Sequence, residues 1–205
     1  AYDLIIKSFD LAFKYRNPVM LLGDAILGQM KEPVTLWKPN VLAEHHAESW
    51  SLSGAKGRDP RLLKSLFLEE GALAGQNQKL HDKYQAMQAE VDQEAYALED
   101  ADLVVVAYGS IGRIAKSSIR KLRLQGHKVG LFRPLTLFPF PSLALQELAK
   151  QGKRFLTIEH NMGQMVEDVR LAVCRYTECA FHGHLPGNLP TPDDFEQPIL
   201  EALKG

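Results

Sequence analysis

The chain has 205 residues, 45% of them apolar and 24% charged, an ordinary globular composition with room for one or two domains and a proper core. A formal charge of −1 gives no basic field for a phosphate backbone, and no window approaches the length of a membrane-spanning helix, so neither nucleic acid nor membrane partners are expected. Only Cys174 and Cys179 are present, too few for a disulfide framework, and with no signal peptide evident a reducing cytoplasm and plain thiols are the expectation.

In chain order, residues 2–15 read as a helix with Ile5, Phe9, Ala12 and Phe13 in an apolar stripe. No initiator Met opens it, and residues upstream are expected. Asn17-Pro18 makes a turn, and Val19-Met20-Leu21-Leu22 reads as a strand ended by Gly23-Asp24. One helix and one strand cannot close a core, so residues 1–40 are expected to pack on protein outside 101–205. Pro33, Pro39 and Pro60 mark a long connection from 32 to 60, within which His45, His46 and Trp50 read as solvated or interface residues. Leu62, Leu63, Leu66 and Phe67 suggest a turn or two of helix. Residues 77–96, with Leu80, Tyr84, Met87 and Val91 at spacings of four, three and four, predict an amphipathic linker helix.

The second domain is expected from 101 to 205. Residues 103–107 form an apolar, largely β-branched run too short for an ordinary helix, and it suits a strand covered on both faces in a parallel sheet. Gly109 and Gly112 break the run, and Ile114, Ala115, Ile119 and Leu122 follow at helical spacing until Gly126. With the apolar run 128–132 this makes a βαβ unit. Prolines 134, 139 and 141 among Leu135, Leu137, Phe138 and Phe140 predict a rigid, half-extended loop, followed by a helix over 143–150 that Ser142 can cap. Residues 155–158 read as a third strand, 164–174 as a helix and 179–181 as a short fourth strand. Thr191-Pro192-Asp193-Asp194 opens a last helix to about 203, with Thr as cap, Pro in first position and acids in the first turn. The fold class is therefore α/β, a mostly parallel sheet with helices on both faces.

Parallel sheets bind ligands beyond the carboxyl ends of their strands, which directs attention to the turns 109–112 and 159–163. Gly109, Ser110, Gly112 and Arg113 are candidates for an anion site at a helix N-terminus, although no full dinucleotide or phosphate-loop fingerprint is present and the glycines can simply permit a tight turn. Glu159 and His160 are adjacent on a strand, so they point to opposite faces, and structural hydrogen bonding is the favoured reading. Cys179, His182 and His184 offer metal-type ligands without a second cluster to complete a tetrahedral site. No nucleophile pattern stands out, and the residues alone name no reaction or catalytic group.

Five blocks occurring in one order carry a resemblance: Tyr15-Arg16-Asn17-Pro18-Val19, Gly23-Asp24-Ala25-Ile26-Leu27-Gly28-Gln29-Met30, Ala107-Tyr108-Gly109-Ser110, Arg133-Pro134-Leu135-Thr136-Leu137-Phe138-Pro139-Phe140-Pro141 and Asn161-Met162-Gly163-Gln164-Met165. Together they resemble the alpha subunit of 2-oxoacid:ferredoxin oxidoreductases, particularly the branched-chain 2-oxoisovalerate type. The resemblance implies a transketolase C-terminal-like domain over 101–205, the end of a thiamine-diphosphate-type pyrimidine domain over 1–40, and a helical linker over 41–100. It implies an enzyme that oxidatively decarboxylates a 2-oxoacid to acyl-CoA with reduction of ferredoxin. Thiamine diphosphate, Mg and an iron-sulfur cluster are expected in partner beta and gamma subunits, with a ferredoxin-type electron acceptor. This chain is expected to bind no cofactor alone and to serve as scaffold and interface, with Leu135, Leu137, Phe138, Phe140, Asn161 and Gln164 as interface candidates. The alternative is a free-standing module that takes an anionic ligand at the 109–113 turn.

Overall fold

The computed structural model describes residues 1–36 and 49–204; His45 and His46 lie outside the described residues. Two compact units emerge, one of Ala1–Gly23 with Gln29–Gln88 and one of Asp24–Gly28 with Ala89–Gly205.

The first unit contains α1 (Tyr2–Tyr15) and most of the chain up to α3 (Ala72–Met87), while the short α2 (Ala25–Gln29) falls mainly in the second unit. Helix α1 ends where Arg16 turns left-handed at φ 49, and its N–H meets the Phe13 carbonyl just before the turn at Asn17-Pro18. Tyr15 Oη donates to the Ala86 carbonyl at 3.2 Å, Lys83 Nζ donates to Asn17 Oδ1 at 2.8 Å, and the Phe13 and Trp50 rings lie 5.9 Å apart. These contacts are polar or peripheral: α1 buries no residue, and Phe9 stays 57% and Met20 79% exposed. Two expectations fail here. Residues 19–22 form no strand, because no neighbouring strand is present among the described residues to pair their amides. Residues 62–67 form no helix either; Leu62, Leu63 and Leu66 are exposed, and a short apolar repeat without a surface to cover does not repay helix nucleation.

The amphipathic helix expected over 77–96 is α3, displaced toward the N-terminus. It stops at Met87, tightens into a 3-10 turn over Gln88–Glu90, and gives way to β1 (Gln93–Tyr96). The α/β body therefore begins at Ala89, earlier than the expected 101. Helical spacing through Val91 hid the strand, and pairing with a neighbouring strand overrode the local pattern.

That body is a five-stranded sheet in the order β1-β3-β2-β4-β5, with β2 at Leu103–Val106, β3 at Val129–Pro134, β4 at Arg154–Glu159 and β5 at Cys179–Gly183. The pairs β2–β3, β2–β4 and β4–β5 are parallel, and only β1 runs antiparallel, against β3. All four residues of β2 are buried, as a strand covered on both faces requires. Alternation then sends Leu103 and Val105 to one core and Val104 and Val106 to the other. On the first face lie α4 (Gly109–Leu124), through Ile111, Ala115, Ile119 and Leu122, and α7 (Pro192–Lys204), through Phe195 and Ile199. On the second lie α5 (Ser142–Lys150), through Leu145 and Ala149, and α6 (Met165–Val173), through Val166, Val169 and Val173. The expected α/β class with helices on both faces is what the chain adopts.

Local signals held unevenly. Thr191 and Asp194 make one half of a capping box on α7: the Thr191 N–H and hydroxyl both donate to Asp194 Oδ2, at 2.7 and 2.8 Å, while the Asp194 N–H reaches the Thr191 carbonyl at 3.2 Å. Ser142 does not cap α5; it is the first helical residue, and the cap position belongs to Pro141, whose carbonyl accepts the Leu145 N–H. The proline-rich strip also begins later than expected, since β3 runs through Pro134, opposite Gln93.

Glu94 on β1 accepts from Lys116 of α4 and from Arg133 of β3, the latter at 3.1 Å. The Lys116 hydrogen bond, ahead of the opposing effect of burial and with Arg133 adding to it, lowers the Glu94 pKa below the ordinary carboxylate value. A depressed folded-state pKa contributes stability that is fully present above the unfolded pKa and lost as pH falls through the folded one. Glu94→Gln is therefore expected to flatten the acid limb of stability below about pH 4.5, and urea midpoints that fall equally in both proteins between pH 5 and pH 3 would show that Glu94 contributes nothing there.

Candidate functional site at the carboxyl edge of the sheet

After β2 the chain moves to β3 on one side, and after β3 it crosses to β4 on the other, so the loops leaving β2 and β4 diverge to opposite faces. The crevice between the carboxyl ends of β2 and β4 is the topological switch point, where open α/β sheets place ligands. Both turns singled out in the sequence lie there.

At the end of β2, Tyr108 occupies the N-cap of α4 with extended backbone and Gly109 takes φ 59, a left-handed value that suits glycine. Gly112 has a packing role: a Cβ there would stand 2.9 Å from the Ala107 carbonyl oxygen, so its absence lets α4 close onto the exit of β2. Of the anion-site candidates, Gly109, Ser110, Gly112 and Arg113 fall in the first turns of α4, with Arg113 exposed. Ser110 Oγ, however, donates to the Asp24 carboxylate. An anion already stands at this turn, and it belongs to the protein.

At the end of β4, Glu159 is 1% exposed. Its Oε1 accepts the N–H groups of Gln164 at 3.2 Å and Val166 at 2.9 Å, and its Oε2 accepts the Met165 N–H and Asn161 Nδ2, each at 3.0 Å. Strand β4 thus supplies, from its last residue, the acceptor that the first amides of α6 need. Asn161 Oδ1 in turn accepts the Gly163 N–H at 2.7 Å, fixing the turn, and the Glu159 carbonyl accepts the His184 N–H at 2.8 Å. The half-buried Tyr108 phenol has its pKa raised, first by burial and then by the Glu159 charge. His160 is not brought to Glu159; its ring lies 5.4 Å from that of His184. His182 packs edge-on against Phe195 at 6.1 Å, and burial, with His184 beside it, lowers its pKa and favours the neutral ring. The structural reading of Glu159 and His160 fits this geometry. The sequence did not reveal that Glu159 caps a helix six residues onward; an acid ending a strand just before a Gly-containing turn and a helix was the available signal.

Among the described residues no group of three or more His, Cys, Asp or Glu is arranged to hold a metal ion. Cys179 is buried, its Sγ 3.2 Å from Thr157 Oγ1, and burial pushes its thiol pKa up; Cys174 is exposed. Two cysteines so placed cannot furnish the four thiolates of an ordinary iron-sulfur cluster.

The interface candidates divide. Leu137 and Phe140 turn inward onto the core shared with α5 and α6, whereas Phe138 is 69% exposed. The strip is tied down at its start, where the Leu135 and Thr136 N–H groups both reach the Asp92 carbonyl, and the Phe138–Pro139 peptide is cis. Asn161 spends its side chain on Glu159 and Gly163, and Gln164 is exposed. Of the strip expected at a subunit or domain interface, Leu137 and Phe140 therefore pack on the core of their own domain, while Phe138 stays exposed. Met162, Leu185 and Leu189 join Phe138 as exposed apolar residues in the loops after β3, β4 and β5.

Comparison with known proteins agrees with this fold. Residues 101–195 match the family model described as pyruvate:ferredoxin oxidoreductase core domain II. Over 202 residues the chain is 44% identical to the ketoisovalerate oxidoreductase subunit VorB of Methanothermobacter marburgensis, covering 97% of this chain and 56% of that one. The 2-oxoglutarate synthase subunit KorA of Archaeoglobus fulgidus is 28% identical over 188 residues, covering 90% and 54%. The chain thus spans about half the length of these relatives. The solved 2-oxoglutarate:ferredoxin oxidoreductase from Magnetococcus marinus shares the fold, with a TM-score of 0.56 at 17% identity over 68% of this chain and 24% of that one. No helix among the described residues is long and apolar enough to cross a membrane. Residues 101–195 accordingly match the pyruvate:ferredoxin oxidoreductase core domain II, and the chain resembles part of a 2-oxoacid:ferredoxin oxidoreductase subunit, as its five sequence blocks indicate.

Proposed function

We propose that this chain is part of the alpha subunit of a 2-oxoacid:ferredoxin oxidoreductase that converts a 2-oxoacid, 2-oxoisovalerate by its similarity to VorB, to acyl-CoA while reducing ferredoxin. Similarity along 97% of the chain carries the reading. The residues at the switch point are engaged in holding helices, so the role assigned to this part is scaffold and interface, with thiamine diphosphate, Mg and the iron-sulfur cluster in beta and gamma partner subunits. In this reading residues 1–40 end a pyrimidine-type domain, 41–88 link it to the α/β body that starts at Ala89, and the compartment is the cytoplasm. Co-expression with a thiamine-binding beta subunit tests it: co-elution with 2-oxoisovalerate-dependent reduction of a ferredoxin-type acceptor is expected, and a chain that elutes alone would refute it. The alternative of a free-standing anion module is less supported, because Ser110 is already engaged by Asp24.

Within that reading the proline-rich strip gives a split outcome. Phe138→Ala should weaken co-elution and leave the melting temperature of the chain unchanged, since its ring is exposed. Phe140→Ala should instead cost the fold about 2 kcal/mol in a urea titration. If Phe138→Ala destabilises the chain as much as Phe140→Ala does, Phe138 is core rather than interface.

A further inference from the structure

Asp24 and Ser110 belong to two of the blocks singled out in the sequence, 86 residues apart, and they meet at the carboxyl end of β2. The Asp24 carboxylate serves two helix starts at once. Its Oδ1 accepts the Leu27 N–H at 2.8 Å, capping α2, and its Oδ2 accepts the Ser110 hydroxyl in the first turn of α4. Hydrogen bonds from the Ile26 and Ser110 backbone amides add to these, and although burial opposes them, the pKa of Asp24 is held below the ordinary aspartate value.

Helix α2 has little else to hold it. It is five residues long, too short to repay its own nucleation, and it buries no side chain; Leu27 is 41% exposed. The chain belongs to the α/β body over Asp24–Gly28, leaves it at Gln29, and returns only at Ala89. A segment with so little apolar burial stays seated through its polar contacts.

We propose that Asp24–Gly28 is a releasable strap across the start of α4, fastened by the Asp24 carboxylate acting as the internal anion of that helix. Closed, the strap fills the first turn of α4 with the protein's own negative charge. Opened, it melts α2 and uncovers Ser110 and its amide together, so the two sites should respond as one unit.

The test is amide hydrogen exchange on the full chain with Asp24→Asn, Ser110→Ala and the double variant. Loss of a hydrogen bond to a charged group should speed exchange of the Leu27 amide by about ten- to a hundredfold. The informative case is Ser110→Ala, which touches nothing in α2 yet is expected to speed Leu27 exchange as much as Asp24→Asn does, with the double variant adding little. Unchanged protection of the β2 and β4 amides confirms that each variant folds. The proposal is overturned if Ser110→Ala leaves Leu27 unaffected, if the two substitutions act additively, or if the Leu27 amide of the parent chain exchanges at the rate of an unstructured peptide.

Discussion

Glu159→Ala is expected to destabilise the α/β body by about 3–5 kcal/mol, a loss at the upper end of single substitutions. Two of the four donors it satisfies, the Met165 and Val166 amides, are buried and would face an empty space. A helix start buried without an acceptor is costly, and α6 is one of the two helices that close the second core. Glu159→Gln is a sharper probe. Each carboxylate oxygen accepts two hydrogen bonds, so an amide in that place sets its NH2 against two donors whichever way it turns. About half the loss should remain in Gln, and exchange at residues 164–166 should rise in both variants. A urea titration placing Glu159→Ala within 1 kcal/mol of the parent would refute this account.

The parallel sheet was legible because its signals are local and redundant. The buried run at 103–107, the glycines after it and the helical spacing to Leu122 all point the same way, and β2 and α4 lie where they indicate. Thr191 and Asp194 likewise meet as their spacing requires. What escaped is what depends on a partner distant in the chain. Residues 93–96 have little strand character and become β1 only because β3 offers a free edge. Val19 to Leu22 have the opposite history: strand-like residues, and no strand beside them among the described residues. The candidate site obeys the same division. Its glycines and its turn positions could be read, whereas the role of Ser110 depends on Asp24 and the inward turn of Phe140 depends on Leu145 and its neighbours in a core assembled from other elements.

The carboxyl edge of the sheet also shows how position and chemistry separate. A switch-point crevice is where this architecture admits ligands, yet here its charged residue lies under four hydrogen bonds and its serine is taken by an aspartate of the same chain. Here the crevice orders the turn after β4, where Met162 is exposed, and Phe138, Leu185 and Leu189 are exposed in the neighbouring loops after β3 and β5.

The second large effect is expected at Gly130, where the reason is topological. Strands β1 and β2 lie on opposite sides of β3, so residues 97–102 joining them must pass over β3. They cross at Gly130: a Cβ added there would stand 2.6 Å from the Ala97 carbonyl oxygen and 2.7 Å from Leu98 Cδ2. The connection cannot simply lift, because it is held from the far side. Ala97 adopts φ 52, Leu98 is buried in the core, and Lys153 Nζ donates to the Leu98 and Ala101 carbonyls at 2.6 and 3.0 Å. Gly130→Ala must therefore displace either a central strand or a pinned crossing, at about 2–4 kcal/mol. Lys153→Met releases the pin at its own cost, and with the connection free to move, the added methyl should cost less. In a double-mutant cycle the pair should thus be less destabilising than the sum of the two single variants. A Gly130→Ala variant that loses under 1 kcal/mol, or a strictly additive pair, would mean that the crossing yields without help and that Lys153 does not hold it against the strand.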